Sequence, residues 1–132
     1  MRVIKQMCRL QLLRRNYLTT SLGDVVYHMN WLAPWRPFPD DTSYDGLAQE
    51  LRSELCTKHV LFGVPVIAIG GRQDCDDVLF RLLDGSDRLA VVHLTYAQHP
   101  EPNPIWPETR LFDSWDHFVR NEMMPEHESW SA

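Results

Sequence analysis

Apolar positions concentrate most clearly in two strand-like runs, Val78-Leu79-Phe80-Arg81-Leu82-Leu83 and Leu89-Ala90-Val91-Val92-His93-Leu94-Thr95-Tyr96, separated by the polar Asp84-Gly85-Ser86-Asp87-Arg88. Strand-like runs around an Asp-Gly turn predict a β-hairpin. A third β-rich run, Val64-Pro65-Val66-Ile67-Ala68-Ile69, is entered through Phe62-Gly63. Pro65 lacks an N–H and belongs near a strand start or on an edge, and Gly70-Gly71 either ends the run or bulges it. The pattern thus predicts a three-stranded antiparallel meander over about 64–70, 77–83 and 88–96. A different period marks two helices. Leu47, Leu51 and Leu55 recur every four residues, which predicts a helix at about 43–55 with Thr42 as N-cap and Asp45 three residues on. Trp115, Phe118, Val119 and Met123 share one helical face, which predicts a helix at about 114–124 capped by Asp113 and stopped by Pro125, with a short tail beyond. The fold class expected is α+β.

Two proline-rich segments interrupt this pattern. Trp31-Leu32-Ala33-Pro34-Trp35-Arg36-Pro37-Phe38-Pro39 can form neither regular helix nor a central strand. Its aromatic side chains favour an extended course against the core, the alternative being an exposed recognition arm that presents Trp31 and Trp35. Pro100, Pro102, Pro104 and Pro107 make the stretch containing Trp106 a stiff connector to the last helix.

Composition changes the picture at the N-terminus. The chain has 132 residues, 44% apolar and 23% charged, ordinary values for one globular domain. Its formal charge of −5 is unevenly divided: residues 1–28 carry +4 and residues 29–132 carry −9. Residues 1–28 are therefore expected to be a basic extension, disordered or upstream of the true start near Met29, with a single domain following. An acidic body repels phosphate backbones, so a protein partner, of basic character, is expected rather than nucleic acid. No apolar run before Val25 is long enough for a secretory core or a membrane span. Cys8, Cys56 and Cys75 suggest neither a disulfide framework nor a zinc cluster, which fits a cytoplasmic protein. No cofactor or metal is expected.

The candidate chemistry lies at the mouth of the hairpin, where Asp74, Asp76 and Asp77 precede one strand and His93 stands on the other. Register decides whether they meet. A three-residue loop at Asp84-Gly85-Ser86 pairs Leu79 with Val91 and Asp77 with His93, giving an imidazole beside a carboxylate. A four-residue loop pairs Val78 with His93 and leaves a structural histidine on an apolar face. Loop solvation and turn formation also account for the three aspartates. Neither a nucleophile motif nor a phosphate-binding loop is present.

Several motifs together resemble a family of small, functionally uncharacterised bacterial proteins: Trp31-Leu32-Ala33-Pro34-Trp35, Arg72-Gln73-Asp74-Cys75-Asp76-Asp77-Val78-Leu79-Phe80, Val91-Val92-His93-Leu94-Thr95-Tyr96 and Met124-Pro125-Glu126-His127-Glu128. Members of that family often carry Trp at Tyr96, Asn at Cys75 and Asp at Glu126. The resemblance covers residues 29–130 and implies a complete domain, but it transfers no catalytic residue. The expected function is a small acidic, non-enzymatic protein-binding domain, immunity-like or regulatory. The alternative is a small-ligand sensor or enzyme built on Asp74, Asp76, Asp77 and His93. A homodimer through an exposed 64–70 edge is a third possibility.

Overall fold

The computed structural model describes residues 30–131, so the expected basic extension 1–28 lies outside the described residues. The α+β class holds, but the sheet has five strands rather than three. They are β1 (Trp35–Pro37), β2 (Val66–Arg72), β3 (Asp77–Leu82), β4 (Leu89–His93) and β5 (Glu108–Phe112), all antiparallel and in sequence order across the sheet. The two added strands flank the expected meander. β1 is three residues long inside the proline-rich segment, where Pro34 and Pro37 are compatible with an edge position. β5 lies between the proline connector and the helix expected at about 114–124, where no strand was expected. Its five residues show too little alternation to stand out in sequence.

With β1 outside it, β2 is an interior strand, so 64–70 is not the exposed edge that the third possibility, a homodimer through this strand, requires. The strand begins at Val66, and Pro65 precedes it while its carbonyl accepts from the Leu83 N–H at 2.7 Å. Gly70-Gly71 does not end the strand: the bulge falls just before it, at Ile69, where the register shifts between Ala68 and Gly70, and pairing runs on to Gly71 with β3 and to Arg72 with β1. Phe38 crosses Gly71 so closely that a Cβ there would lie 2.8 Å from Phe38 Cζ. β4 stops at His93, earlier than expected, because Tyr96 and Gln98 turn the chain in the left-handed region with φ of 56° and 63°.

Residue parity assigns the core to two layers. On one face Val66, Ala68, Val78, Phe80, Leu82, Ala90 and Val92 pack with Phe38 and with Ala48, Leu51 and Leu55 of or beside helix α1 (Asp45–Glu54). On the other, Trp35, Phe112 and Phe118 meet edge to face, with Trp35–Phe118 centroids 5.1 Å apart and Phe112–Phe118 centroids 5.6 Å apart. Full burial of these residues on both faces explains the near-continuous apolar run of β4, all of whose residues but His93 are buried.

Both helix ends differ from expectation. Tyr44, not Thr42, is the N-cap of α1 and no side chain caps it. The Thr42 carbonyl accepts from the Asp45 N–H, so this stretch closes as a turn rather than a capping box. At the C-terminal helical segment the cap is Ser114, whose hydroxyl accepts from the His117 N–H at 3.1 Å, while Asp113 lies one residue outside.

Nor does Pro125 end the helix. Helix α2 (Trp115–Phe118) runs into a π-helical turn, Val119–Met123, and then into α3 (Met124–Ser131). The Met124 N–H reaches back to the Val119 carbonyl, a wider spacing than in an α-helix. The ladder is thus widened just ahead of Pro125, which has no N–H to donate and whose ring would crowd a regular turn. Residues expected to be a tail are helical, with Glu126 and His127 half-buried.

Candidate functional site

The site is built from one row of residues across the end of the sheet. Antiparallel pairing sets Trp35 opposite Arg72, Asp77 opposite His93, and His93 opposite Glu108. Directly opposite residues share a face, so these side chains converge beneath the C-terminal helical segment. Arg110 joins them from the next level of β5, where it pairs with Val91.

The hairpin adopts the register of the three-residue loop, with Leu79 opposite Val91 and Asp77 opposite His93. Asp77 Oδ1 lies 2.7 Å from His93 Nδ1. An ionised carboxylate only accepts, so Nδ1 carries the proton and Nε2 of the neutral ring is unprotonated. Asp77 is nearly buried, with 11% of its side chain exposed, whereas the His93 side chain is 45% exposed. Among the described residues Nε2 meets no hydrogen-bond partner. Such an imidazole, oriented by a buried carboxylate with its second nitrogen open, can accept a proton or ligate.

Behind this pair stands an ionic lattice. The second Asp77 oxygen, Oδ2, accepts from Arg110 Nη2 at 3.3 Å, and Arg110 Nε donates to Glu122 Oε2 at 3.1 Å. Arg110 Nη2 also contacts Glu122. One turn further on, Glu126 accepts from Trp35 Nε1 at 2.6 Å and pairs with Arg72 Nη1 at 2.8 Å. Arg72 in turn forms a two-point pair with Asp74, at 2.8 and 2.7 Å. His127 donates through Nδ1 to the Ala33 carbonyl at 2.7 Å when that nitrogen is protonated.

Electrostatics follows from these contacts. Burial and the neighbouring Glu122 carboxylate push the Glu126 carboxyl above its ordinary value, against the opposing pull of Trp35 and Arg72. Burial would lower Arg110, but Glu122 and Asp77 outweigh it and hold the guanidinium charged. The hydrogen-bonded Arg72 holds Asp74 below the usual carboxylate range.

A further buried carboxylate lies on the opposite face. Glu54, at the end of α1, has no exposed surface and accepts from the Thr95 N–H at 3.0 Å and the Tyr96 N–H at 2.8 Å. Glu50, one turn earlier, accepts from the Gln98 N–H at 3.3 Å. Burial and Glu50 raise Glu54 above its ordinary value although the two backbone donors oppose them. The left-handed turn at Tyr96 and Gln98 is the shape that wraps successive N–H groups around these carboxylates.

The candidates therefore separate. Asp77 and His93 come together; Asp74 joins them only indirectly, through Arg72, Glu126 and Glu122. Asp76 is exposed and outside the lattice. Trp35 is buried at 2% exposure and works as core and as a donor to Glu126, which corrects its reading as a recognition residue. Trp31 is half-buried, and Trp106 is 43% exposed. Arg110, Glu122 and Glu126 were missed. Arg110 sits on the unforeseen β5; Glu122 lies within the expected helix, one turn after Phe118, whereas Glu126 is helical only because the helix passes Pro125.

Among the described residues no group of three or more His, Cys, Asp or Glu could hold a metal ion, and no helix is long and apolar enough to cross a membrane. Searches with protein-family models, curated proteins and solved structures return no match to this chain.

Proposed function

We propose that this chain is a non-enzymatic protein-binding domain, immunity-like or regulatory, that docks on a basic partner. The observation that carries this reading is the surface charge. Asp40, Asp41, Asp45, Asp74, Asp76, Asp84, Asp87, Glu108, Asp113, Asp116 and Glu128 are exposed, against only Arg36, Arg52, Lys58 and Arg120 among the described cations. Arg72 and Arg110 are drawn into the lattice and neutralised there. Such a surface steers a basic protein toward encounter and repels nucleic acid. Capture from native extract at about 50 mM salt should retain a basic protein at fixed stoichiometry, released at about 0.5 M salt as screening shortens. Asp76→Lys should weaken that capture. Recovery of no stoichiometric partner at low salt, or of one indifferent to salt and to Asp76→Lys, would overturn the proposal.

A second reading, a small-ligand sensor or enzyme, draws on the Asp77–His93 contact with Nε2 open to solvent. Nuclear magnetic resonance of the labelled chain against a panel of small metabolites is its test. Shifts centred on His93 that vanish in His93→Ala support it, and an unresponsive His93 across the panel rejects it.

A further inference from the structure

The two edges of the sheet are unequal. β1 is three residues long and set among Pro34, Pro37 and Pro39, which removes donors from that edge. β5 is five residues long, Glu108-Thr109-Arg110-Leu111-Phe112, with no proline. Among the described residues no backbone hydrogen bond outside the ladder with β4 reaches residues 108–112. An unprotected row of N–H and C=O groups is a template for another strand.

We propose that β5 pairs antiparallel with β5 of a second copy about a two-fold axis at Thr109, joining two five-stranded sheets into one. Charge selects both the occupant and the register. With Thr109 on the axis, Glu108 of each copy stands opposite Arg110 of the other, on the same face. Moving the axis one residue either way sets Arg110 against Arg110 or Glu108 against Glu108, and like charges directly opposite are destabilising. The side chains are disposed for the first arrangement. Glu108 is 58% exposed, and its nearest cation, Arg110 Nη1, is 3.8 Å away, too far for a hydrogen bond. Arg110 uses Nε and Nη2 on Glu122 and Asp77, which leaves Nη1 for the second copy. Ile105 and Trp106, 64% and 43% exposed just before the strand, extend the contact with apolar surface. The symmetric, self-complementary patch is the form a two-fold dimer requires.

Sedimentation velocity of the full chain from about 5 to 200 µM should show a monomer–dimer equilibrium; this range brackets micromolar affinity. Glu108→Lys places like charges opposite at both ends of the pairing and should raise the dissociation constant at least about tenfold, with an unchanged circular dichroism spectrum. Opposite Cα atoms in antiparallel strands lie about 4.5–5.5 Å apart, within disulfide range. In a chain with Cys8, Cys56 and Cys75 replaced by Ser, Thr109→Cys should therefore oxidise to a covalent dimer, whereas Glu108→Cys should not link to itself. A chain monomeric throughout the range overturns the proposal. So does a dimer unaffected by Glu108→Lys, or one linked by Glu108→Cys in preference to Thr109→Cys.

Discussion

Asp77 Oδ1 sits 2.7 Å from His93 Nδ1 across the β3–β4 ladder, and the same carboxylate accepts from Arg110 through its other oxygen. Asp77 is thereby fixed at both oxygens, and the ring it orients turns its second nitrogen outward. At a pH where His93 is neutral, long-range nitrogen–proton spectra should show the Nδ1–H tautomer. Asp77→Asn offers a donor as well as an acceptor and should admit the Nε2–H form. A wild-type spectrum dominated by Nε2–H would contradict the geometry.

Arg110 is the cation on which Asp77 and Glu122 converge. Arg110→Met keeps much of the side-chain volume but leaves two nearly buried carboxylates without a cation. Breaking a buried pair costs about 3–5 kcal/mol, and the partial exposure of Arg110 reduces the expected loss to about 2–3 kcal/mol. Urea unfolding should report this as a lower midpoint at constant slope. A loss below about 0.5 kcal/mol would mean that solvent already screens the lattice.

Glu54 predicts a pH dependence of stability opposite to that of an ordinary salt-bridged carboxylate. Its folded-state value lies above the unfolded one, so the folded protein binds the extra proton. Its contribution to stability therefore increases as pH falls through the raised folded value, and levels off below the unfolded value. Glu54→Gln removes that titration. The wild type should gain stability relative to this variant as pH is lowered from neutrality, with thermal unfolding as the measurement. A difference independent of pH, or one shrinking in favour of the variant on acidification, would contradict the assignment.

Gly71 is required by proximity. An added Cβ would stand 2.8 Å from Phe38 Cζ and 3.3 Å from the Asp77 carbonyl oxygen. Phe38 has little room to yield, since its ring stacks on Tyr44 with centroids 4.0 Å apart. Overpacking of this kind costs about 1–3 kcal/mol, so Gly71→Ala should lower the unfolding midpoint, while Gly46→Ala, with open space around it, should not. Equal stability of the two variants would show that Phe38 relaxes freely.

The local pattern of the chain determined the hairpin, β2 and the cores of both helices, because apolar runs and four-residue spacing are properties of neighbouring residues. It also supplied two hairpin registers, only one of which unites Asp77 with His93. Tertiary structure decided the rest. β1 and β5 are short strands whose pairing depends on a sheet already formed beside them. The helix beyond Pro125 persists through a widened turn and is anchored by Glu126 on Arg72 and Trp35, contacts between residues far apart in sequence. Asp77 and His93 were visible as a possible pair from strand register alone. Arg110, Glu122 and Glu126 were not, since their meeting depends on which face of the sheet the last helix covers.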